Sequence, residues 1–570
     1  MLPSAPMLLF YMLLTIVVVI VEAVVRQKNE KAGNVFLTIS ILAFLAFIYI
    51  DLGIPDLFIP FSIAAVTYSS LSTIIEGRRR ANKRKRELET LSYEEWSFPV
   101  NYQKFTYESL LTLIVLSGAI AFYIWGPETS VLKFLSLLLI IHSLIETFKS
   151  FFIAFSTQFY WTDTHEFFII STFDSRKYPL VELEAISKYS GVDLLRIHPL
   201  FTIFTKGTDF ITGSGTVIRL DFPGESLYVN NKYVEKFQEF LPKVDEESLI
   251  TNKVMPLFHP SNLKRLAGKL YFAAAIKGIS LYIGIFLGLY LIEAHYLIIT
   301  FTIIIVWFIN MYYSDVILKI ATDASEVKNQ NVLNAAHQIF ERLNLPHITL
   351  YETDTKEYNG FAAGMGIGRS MITLTSETLK LPINAIVGIL AHEAIHVKKR
   401  DVLFGQLLRI PYILLVVAVV YPIIEYTNWS EDYPIMIFTG IFLIIWLFPV
   451  YQSFYSQWME VRADRLASMI IPGGHKQMAE SLETLGKSQD DAIEQSLLYV
   501  EDMDDEKNKN EKEPYPSLER SGWLFRFLEF QFMLHPPLYW RILVLQKNQS
   551  LRSSIKEWMV DRFKESVRIK

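Results

Sequence analysis

The stretch AHEAIHVKKRD occupies residues Ala391–Asp401. His392 and His396 are four residues apart, so on a helix their imidazoles lie on one face, and Glu393 is turned towards the same site. Two neutral histidines can bind a borderline metal ion, and the adjacent carboxylate can take a proton from water that the metal has made acidic. The residues predict a hydrolytic zinc site, although HExxH by itself fits a chance match on an apolar helix equally well.

The helix that carries these histidines is predicted to begin after Leu381–Pro382, because proline is tolerated in a first helical turn. Its segment Asn384–His396 reads NAIVGILAHEAIH, which suits a buried helix or one that touches a membrane. Lys398, Lys399 and Arg400 follow it. We therefore expect the metal at or just inside a boundary between membrane and water.

A catalytic zinc ion needs a third protein ligand and one open position. The chain has no cysteine, which excludes thiolate ligands, disulfides and a cysteine nucleophile. The downstream segment Trp458–Asp464 reads WMEVRAD and offers Glu460 as the ligand. Asp464 lies four residues later on the same helical face, where it could accept the other ring N–H of a metal-bound imidazole. A solvated pair of surface carboxylates is the alternative.

The composition indicates a membrane protein with sizeable soluble domains. Of the 570 residues, 51% are hydrophobic and 20% are charged, and the mean hydropathy is +0.27. These values are too apolar for an ordinary soluble enzyme, yet they leave enough charge for water-facing parts. The net charge of -5 gives no indication of nucleic-acid binding.

Apolar runs of spanning length predict a polytopic α-helical protein with about nine membrane spans. Five lie within residues 1–155, a pair within 263–313, and two inside the region 314–570. The predicted spans are Met7–Val25, Val35–Ile50, Ile54–Ile74, Leu110–Trp125, Val131–Phe155, Leu270–Ile292, Tyr296–Tyr312, Phe404–Tyr426 and Tyr433–Tyr451.

Between the fifth and sixth spans, residues 156–262 break into short β-prone runs separated by turn residues. An amphipathic helix is predicted from about Val234, so strands followed by a helix resemble a pleckstrin-homology-like barrel. This small β-rich domain contains no catalytic spacing, and we expect a scaffold or docking module.

Lysine and arginine are confined to alternate connections between the spans, which sets the orientation. They concentrate in a basic loop at 76–107, whereas the opposite connections contain none. We expect a multi-pass protein of the cell membrane, with its N-terminus outside and the active site, the β-rich domain and the C-terminus in the cytoplasm. A charge-dense insertion at 488–513 is expected to be disordered or to form a mobile flap.

HEAIHVKKRD, followed by EVRAD at Glu460–Asp464, resembles the gluzincin family of HtpX-like proteases and CAAX prenyl endopeptidases. Asn359–Ala362, NGFA, resembles that family's N-A-F-A segment, with Gly360 where the family more often has alanine. Leu534–Pro537, LHPP, followed by Arg541–Ile542, resembles its late H-P-P...R-I segment. The similarity covers Ser314 to Gln546 and implies an α+β HExxH zinc-peptidase domain at 314–570.

This resemblance implies a role for each matching residue. It makes Glu393 the general base and assigns one zinc ion to the ligands His392, His396 and Glu460. Asp464 would orient a ligand, His535 would stabilise the oxyanion of the tetrahedral intermediate, Asn359 would bind the substrate main chain at an edge strand, and Arg541 would pair with a carboxylate of the site.

The sequence therefore predicts a membrane zinc endopeptidase whose partners are a protein or peptide substrate and the lipid bilayer. Two alternatives are an intramembrane site-two-type protease and a catalytically idle scaffold whose β-rich domain recruits partners. The first class takes its third ligand from an L-D-G segment, which this chain lacks. The physiological substrate and the oligomeric state are left open.

Overall fold

A computed structural model describes most of the chain. The described residues are 5–52, 58–96, 102–126, 131–190, 208–209, 216–230, 237, 259–272, 275, 280–345, 347–364, 370–428, 433–500 and 516–567.

Five long helices make up most of the described N-terminal residues. They are α1 (Ala5–Lys28), α2 (Glu30–Leu52), α3 (Phe58–Leu88), α4 (Tyr102–Trp125) and α5 (Val131–Ser156). The third helix continues without a break through the basic run, so the first part of the predicted loop at 76–107 is helical. After Leu88 the chain forms strand β1 (Tyr93–Trp96).

Within the described ranges, four helices are long and apolar enough to cross a membrane. They cover Leu9–Lys28, Glu30–Ile50, Ser136–Ser156 and Asp401–Ile423. A fifth crossing results if Leu297–Tyr312 and Ser314–Ala321, which meet at a bend of 65°, form one broken span. The chain therefore has several candidate membrane helices, and the full number of nine stays a prediction.

The described residues of the β-rich region, together with β1, form two four-stranded sheets, ordered β1-β2-β3-β4 and β5-β7-β8-β6. Their apolar faces share one core, to which Phe159, Phe167, Ile218 and Val229 contribute. The helix predicted from Val234 lies outside the described residues except for Phe237. The strands are β2 (Gln158–Thr162), β3 (Glu166–Ile170), β4 (Ser175–Pro179), β5 (Ala185–Ser190), β6 (Thr208–Asp209), β7 (Thr216–Phe222) and β8 (Glu225–Asn230).

The C-terminal half packs helices against a third sheet of order β11-β12-β10-β9. Its strands are β9 (Ser325–Glu326), β10 (Thr349–Thr353), β11 (Gly360–Ala363) and β12 (Met371–Thr375). The helices from the sixth predicted span onwards are α6 (Pro260–Phe272), α7 (Ser280–Leu291), α8 (Tyr296–Tyr312), α9 (Ser314–Ala321), α10 (Gln330–Arg342), α11 (Ile383–Lys399), α12 (Asp401–Leu407), α13 (Arg409–Tyr426), α14 (Pro434–Ser468), α15 (Gly474–Leu498), α16 (Trp523–Phe532), α17 (Leu538–Gln546) and α18 (Leu551–Val567).

Two helices differ from the sequence expectation in a way that matters for the site. Helix α14 is 35 residues long, so the ninth predicted span runs directly into the segment that carries Glu460. Helix α15 extends to Leu498, so the first part of the charge-dense insertion is ordered helix rather than a flap, while residues 501–513 lie outside the described residues.

Candidate metal centre

The site is built where helix α11 meets helix α14. Helix α11 is buried along most of its length because its apolar residues, including Ile389 and Leu390, join the core of the C-terminal half. Gly388 allows close packing against α15, since a Cβ atom there would lie 2.2 Å from Ser481 Oγ. The helix ends at Arg400, whose φ of 55° lies in the left-handed region.

The three proposed ligands converge within one small volume. His392 Nε2 lies 3.3 Å from Glu460 Oε2, and His396 Nε2 lies 3.2 Å from Glu460 Oε1. The two Nε2 atoms are 3.0 Å apart. One ligand atom from each of these residues lies within 4.8 Å of the others, which suits a single ion.

Each of the two histidines has a carboxylate at its other ring nitrogen. Asp464 Oδ1 lies 2.9 Å from His392 Nδ1, and Asp401 Oδ2 lies 2.8 Å from His396 Nδ1. Such contacts fix the tautomer and the orientation of a ligating imidazole. Asp464 was predicted from its helical spacing, whereas Asp401, which directly follows the left-handed residue Arg400, was not predicted.

Two arginines hold these carboxylates in place. Arg541 donates from Nε to Asp464 Oδ2 at 2.8 Å and from Nη2 to Asp464 Oδ1 at 2.7 Å. Arg462 binds Asp401 and lies over the Trp458 ring at 4.6 Å. Burial by itself raises the pKa of Asp464, but the Arg541 guanidinium and His392 lower it to about 2.

The carboxylates also determine the protonation of the histidines. Burial lowers the pKa of His392 and His396, but the Glu460 charge outweighs it, with help from Asp464 at the first imidazole and Asp401 at the second. The pKa of both imidazoles is therefore raised. A metal ion would replace this positive charge, because it binds neutral imidazole.

The donor set fits a divalent cation such as zinc. It consists of nitrogen and oxygen ligands, as zinc prefers in the absence of thiolates. Glu460 is 5% exposed, and its Oε2 atom accepts no hydrogen bond of good geometry from the part of the chain that the structure describes. The nitrogens of His392 and His535 lie close to this buried oxygen but are not well aligned for a hydrogen bond, and a cation at this position would satisfy it.

His535 lies at the open side of the cluster. Its side chain is 63% exposed and its Nδ1 atom lies 2.9 Å from Glu460 Oε2. Gln457 binds the segment that leads to the turn of His535. Its side chain is fully buried and donates from Nε2 to Met533 O at 2.8 Å and to Glu529 O at 2.9 Å.

Asn359 directly precedes β11, which is one of the two outer strands of the described sheet. β11 pairs antiparallel with β12, and the Asn359 main chain is fixed by Thr375 and Thr378. Gly360 follows Asn359 in the chain and packs close to Glu393, the candidate general base. A Cβ atom at Gly360 would lie 2.9 Å from Leu374 Cδ2 and 3.5 Å from Glu393 Cγ. The close packing explains a glycine at this position of the segment.

The structure thus brings His392, Glu393, His396, Glu460, Asp464, His535 and Arg541 into one centre, with Asn359 at the neighbouring sheet edge. Two histidines of an HExxH helix and a glutamate from a second helix thus meet at one site, as the resemblance to gluzincin metallopeptidases implied.

Comparison with known proteins finds a family match for the region that contains the site. Residues 326–549 match the model of Peptidase family M48. Residues 157–245 match the model described as a bacterial PH domain. The match covers most of the β-rich region.

Three curated relatives are each called "Protease HtpX homolog". The protein of Pelotomaculum thermopropionicum is 32% identical over 102 residues, which are 17% of this chain and 36% of the relative. That of Aquifex aeolicus is 34% identical over 105 residues, 18% of this chain and 34% of the relative. That of Acaryochloris marina is 29% identical over 190 residues, 30% of this chain and 62% of the relative. The chain thus spans about a third to three fifths of their lengths. Together with the apolar helices, these relatives indicate an integral membrane protein.

Proposed function

We propose that the chain is a membrane-embedded zinc metalloendopeptidase that hydrolyses peptide bonds of membrane or membrane-associated proteins. The observation that carries this proposal is the convergence of His392, His396 and Glu460, each buried or nearly so, around a volume that suits one ion. Zinc held by these residues would supply a Lewis acid and an acidified water molecule.

The remaining residues have roles that follow from their positions. Glu393 neighbours His392 on the same helix and would accept the proton of the attacking water, then deliver it to the leaving amine. His535 is exposed at the mouth of the cluster, where it can donate to the oxyanion of the tetrahedral intermediate.

The substrate would bind as an extended segment along β11. An outer strand offers main-chain groups for β-augmentation, and β11 runs past Glu393 because Gly360 packs against its stem. Asn359, exposed at the start of this strand, would hydrogen-bond the substrate main chain.

The proposed location is the cytoplasmic face of the cell membrane, with the N-terminus outside. Helix α14 supports a position close to the membrane, since one continuous helix contains both a predicted span and Glu460. The orientation rests on the asymmetric distribution of lysine and arginine between the connections.

The variant Glu393→Gln tests the chemistry. We expect it to retain about one zinc per chain and to lose at least about 100-fold in kcat on an unfolded membrane-protein substrate, because only the proton acceptor is removed. The matched control is Glu341→Gln, on an exposed position of α10, which should cleave at the wild-type rate. Equal cleavage by Glu393→Gln and wild type would refute the assignment.

A further inference from the structure

Residues 354–359 connect β10 to β11, and we call this segment the strand connection. Groups outside the peptidase sheet bind some of its residues, and groups of the peptidase domain bind others. Thr355 and Asn359 bond to the peptidase domain through Ser376, Thr375 and Thr378. Asp354, Lys356 and Tyr358 are bonded by groups from the β-rich domain and from helix α15.

The first of these contacts is a bidentate ion pair. Arg219, which lies on β7 and is 6% exposed, binds both carboxylate oxygens of Asp354, with Nη2 at 2.9 Å from Oδ1. Its Nε atom donates to Asp221 and Ser226 within the β-rich domain. Burial lowers the pKa of Arg219, but the hydrogen bond with Asp354 and the Asp221 charge outweigh it and raise the pKa. Hydrogen bonds within the β-rich domain therefore orient the Arg219 guanidinium for its ion pair with Asp354.

The second contact joins Lys356 to Glu184. Lys356 Nζ donates to Glu184 Oε2 at 2.8 Å, and Glu377 Oε1 of the peptidase domain lies 3.5 Å away. Burial lowers the pKa of Lys356, but Asp221, Glu184 and Glu377 raise it. The ammonium thus lies between carboxylates of both domains.

The third contact comes from α15. Gln489 Nε2 donates to Tyr358 O at 2.6 Å. The same helix is anchored in the β-rich domain, because Tyr499 is 1% exposed within that domain's core and its hydroxyl donates to Glu182 at 3.0 Å. At Gly224, whose φ of 74° requires a glycine, a Cβ atom would lie 2.2 Å from Ala492 O.

We propose that the β-rich domain forms part of the substrate cleft and that Asp354 is a positioning residue for the substrate strand. Three anchors spaced two residues apart fix an irregular segment that otherwise has only its sheet bonds, and that segment leads directly into Asn359 and β11. The proposal rests on the proposed function, since it assigns the β-rich domain a role in aligning the strand that pairs with substrate.

This role predicts a change in substrate binding rather than in the chemical step. The metal ligands lie on α11 and α14, which the strand connection does not contact through any of the bonds described above. Loosening the connection therefore lowers the population of the aligned strand and raises KM, while kcat changes little.

The test is the variant Asp354→Asn in the full-length protein, which removes one charge from the ion pair and keeps the size of the side chain. We expect KM for an internally quenched peptide to rise about fivefold with kcat within about twofold, as for loss of a partly exposed charged hydrogen bond. The matched control is Glu357→Gln, an exposed position of the same connection without an ion pair to a described residue. Asp354→Glu, which restores the carboxylate, should return KM towards the wild-type value.

A second measurement does not depend on peptidase activity. Hydrogen exchange of peptides covering 354–363 should accelerate in Asp354→Asn and stay unchanged in Glu357→Gln. Unchanged exchange and KM in Asp354→Asn would overturn the proposal, as would equal effects in the two variants. If the wild-type protein cleaves no peptide, the proposed function fails, while the exchange measurement still decides whether the β-rich domain holds the strand.

Discussion

Gln457 offers the sharpest test of how the tertiary structure supports His535. Its side chain is fully buried on α14, one turn before Glu460. The amide nitrogen donates to Met533 O and Glu529 O, and the amide oxygen accepts from Trp558 Nε1 at 3.2 Å and from Arg562 Nη1 at 3.0 Å. The perturbation is Gln457→Leu, which removes these four bonds, and a longer one from Nε2 to His535 O at 3.4 Å, at similar volume.

The magnitude follows from these bonds. At about 1 kcal/mol for each of three neutral hydrogen bonds and about 2 kcal/mol for the one to a guanidinium, the loss is about 5 kcal/mol. Arg562 retains its hydrogen bond to Ser453 Oγ at 2.7 Å. The expected loss of unfolding free energy is therefore about 3 to 5 kcal/mol. The released turn should also lower kcat by at least about tenfold, because His535 is no longer held at the cluster.

The assay combines thermal unfolding in detergent, zinc content and kcat. Gln457→Glu separates the two halves of the network: its carboxylate still accepts from Trp558 and Arg562, but it cannot donate to the carbonyl groups of Met533 and Glu529. We expect this variant to lose kcat as Gln457→Leu does, with a smaller loss of stability and about one zinc per chain in both. If kcat in both variants stayed within about twofold of wild type, the reasoning that this network places His535 would be refuted.

Two further predictions concern the metal. Asp464→Asn should weaken zinc affinity about 10- to 100-fold, because it disturbs the partner of His392 Nδ1 and leaves Arg541 without its carboxylate. Competition with a chelator measures the zinc affinity, and an unchanged affinity would contradict the role of Asp464 in orienting His392. Zinc binding at pH 7 should release at least about one proton per chain, because the raised pKa of His392 and His396 favours a charged imidazole in the metal-free site and zinc binds the neutral form. Affinity should therefore rise with pH, and calorimetry in two buffers of different ionisation enthalpy counts the protons.

The local part of the site could be predicted because a helix converts spacing into geometry. The spacing of four residues from His392 to His396 places both imidazoles on one face, and the same spacing places Asp464 one turn beyond Glu460. The contact of Asp401 with His396 could not be predicted in this way, because Asp401 lies beyond the left-handed residue Arg400 and no helical spacing relates it to His396.

The membrane and domain organisation was predictable in part. Hydropathy indicates that several helices can cross a bilayer, yet it does not show where a helix that contains a predicted span ends, since α14 runs without a break from Pro434 to Ser468. Charge density likewise suggested a mobile insertion at 488–513, where the residues up to Leu498 are helix. The charged residues of this insertion give no information on Tyr499, the residue that anchors the end of α15 in the β-rich domain.

The sequence by itself supplied the chemistry proposed for this protein: an HExxH helix, no thiolate ligands, Glu460 as a third ligand, and a resemblance to gluzincins that added His535. Only the tertiary structure decided which distant groups meet, namely Asp401 with His396, Gln457 with the turn of His535, and Arg219 with Asp354. The reason is physical. Periodicity encodes contacts within one helix or strand, whereas contacts between elements far apart in the chain depend on how the apolar faces pack, and many residues share that packing.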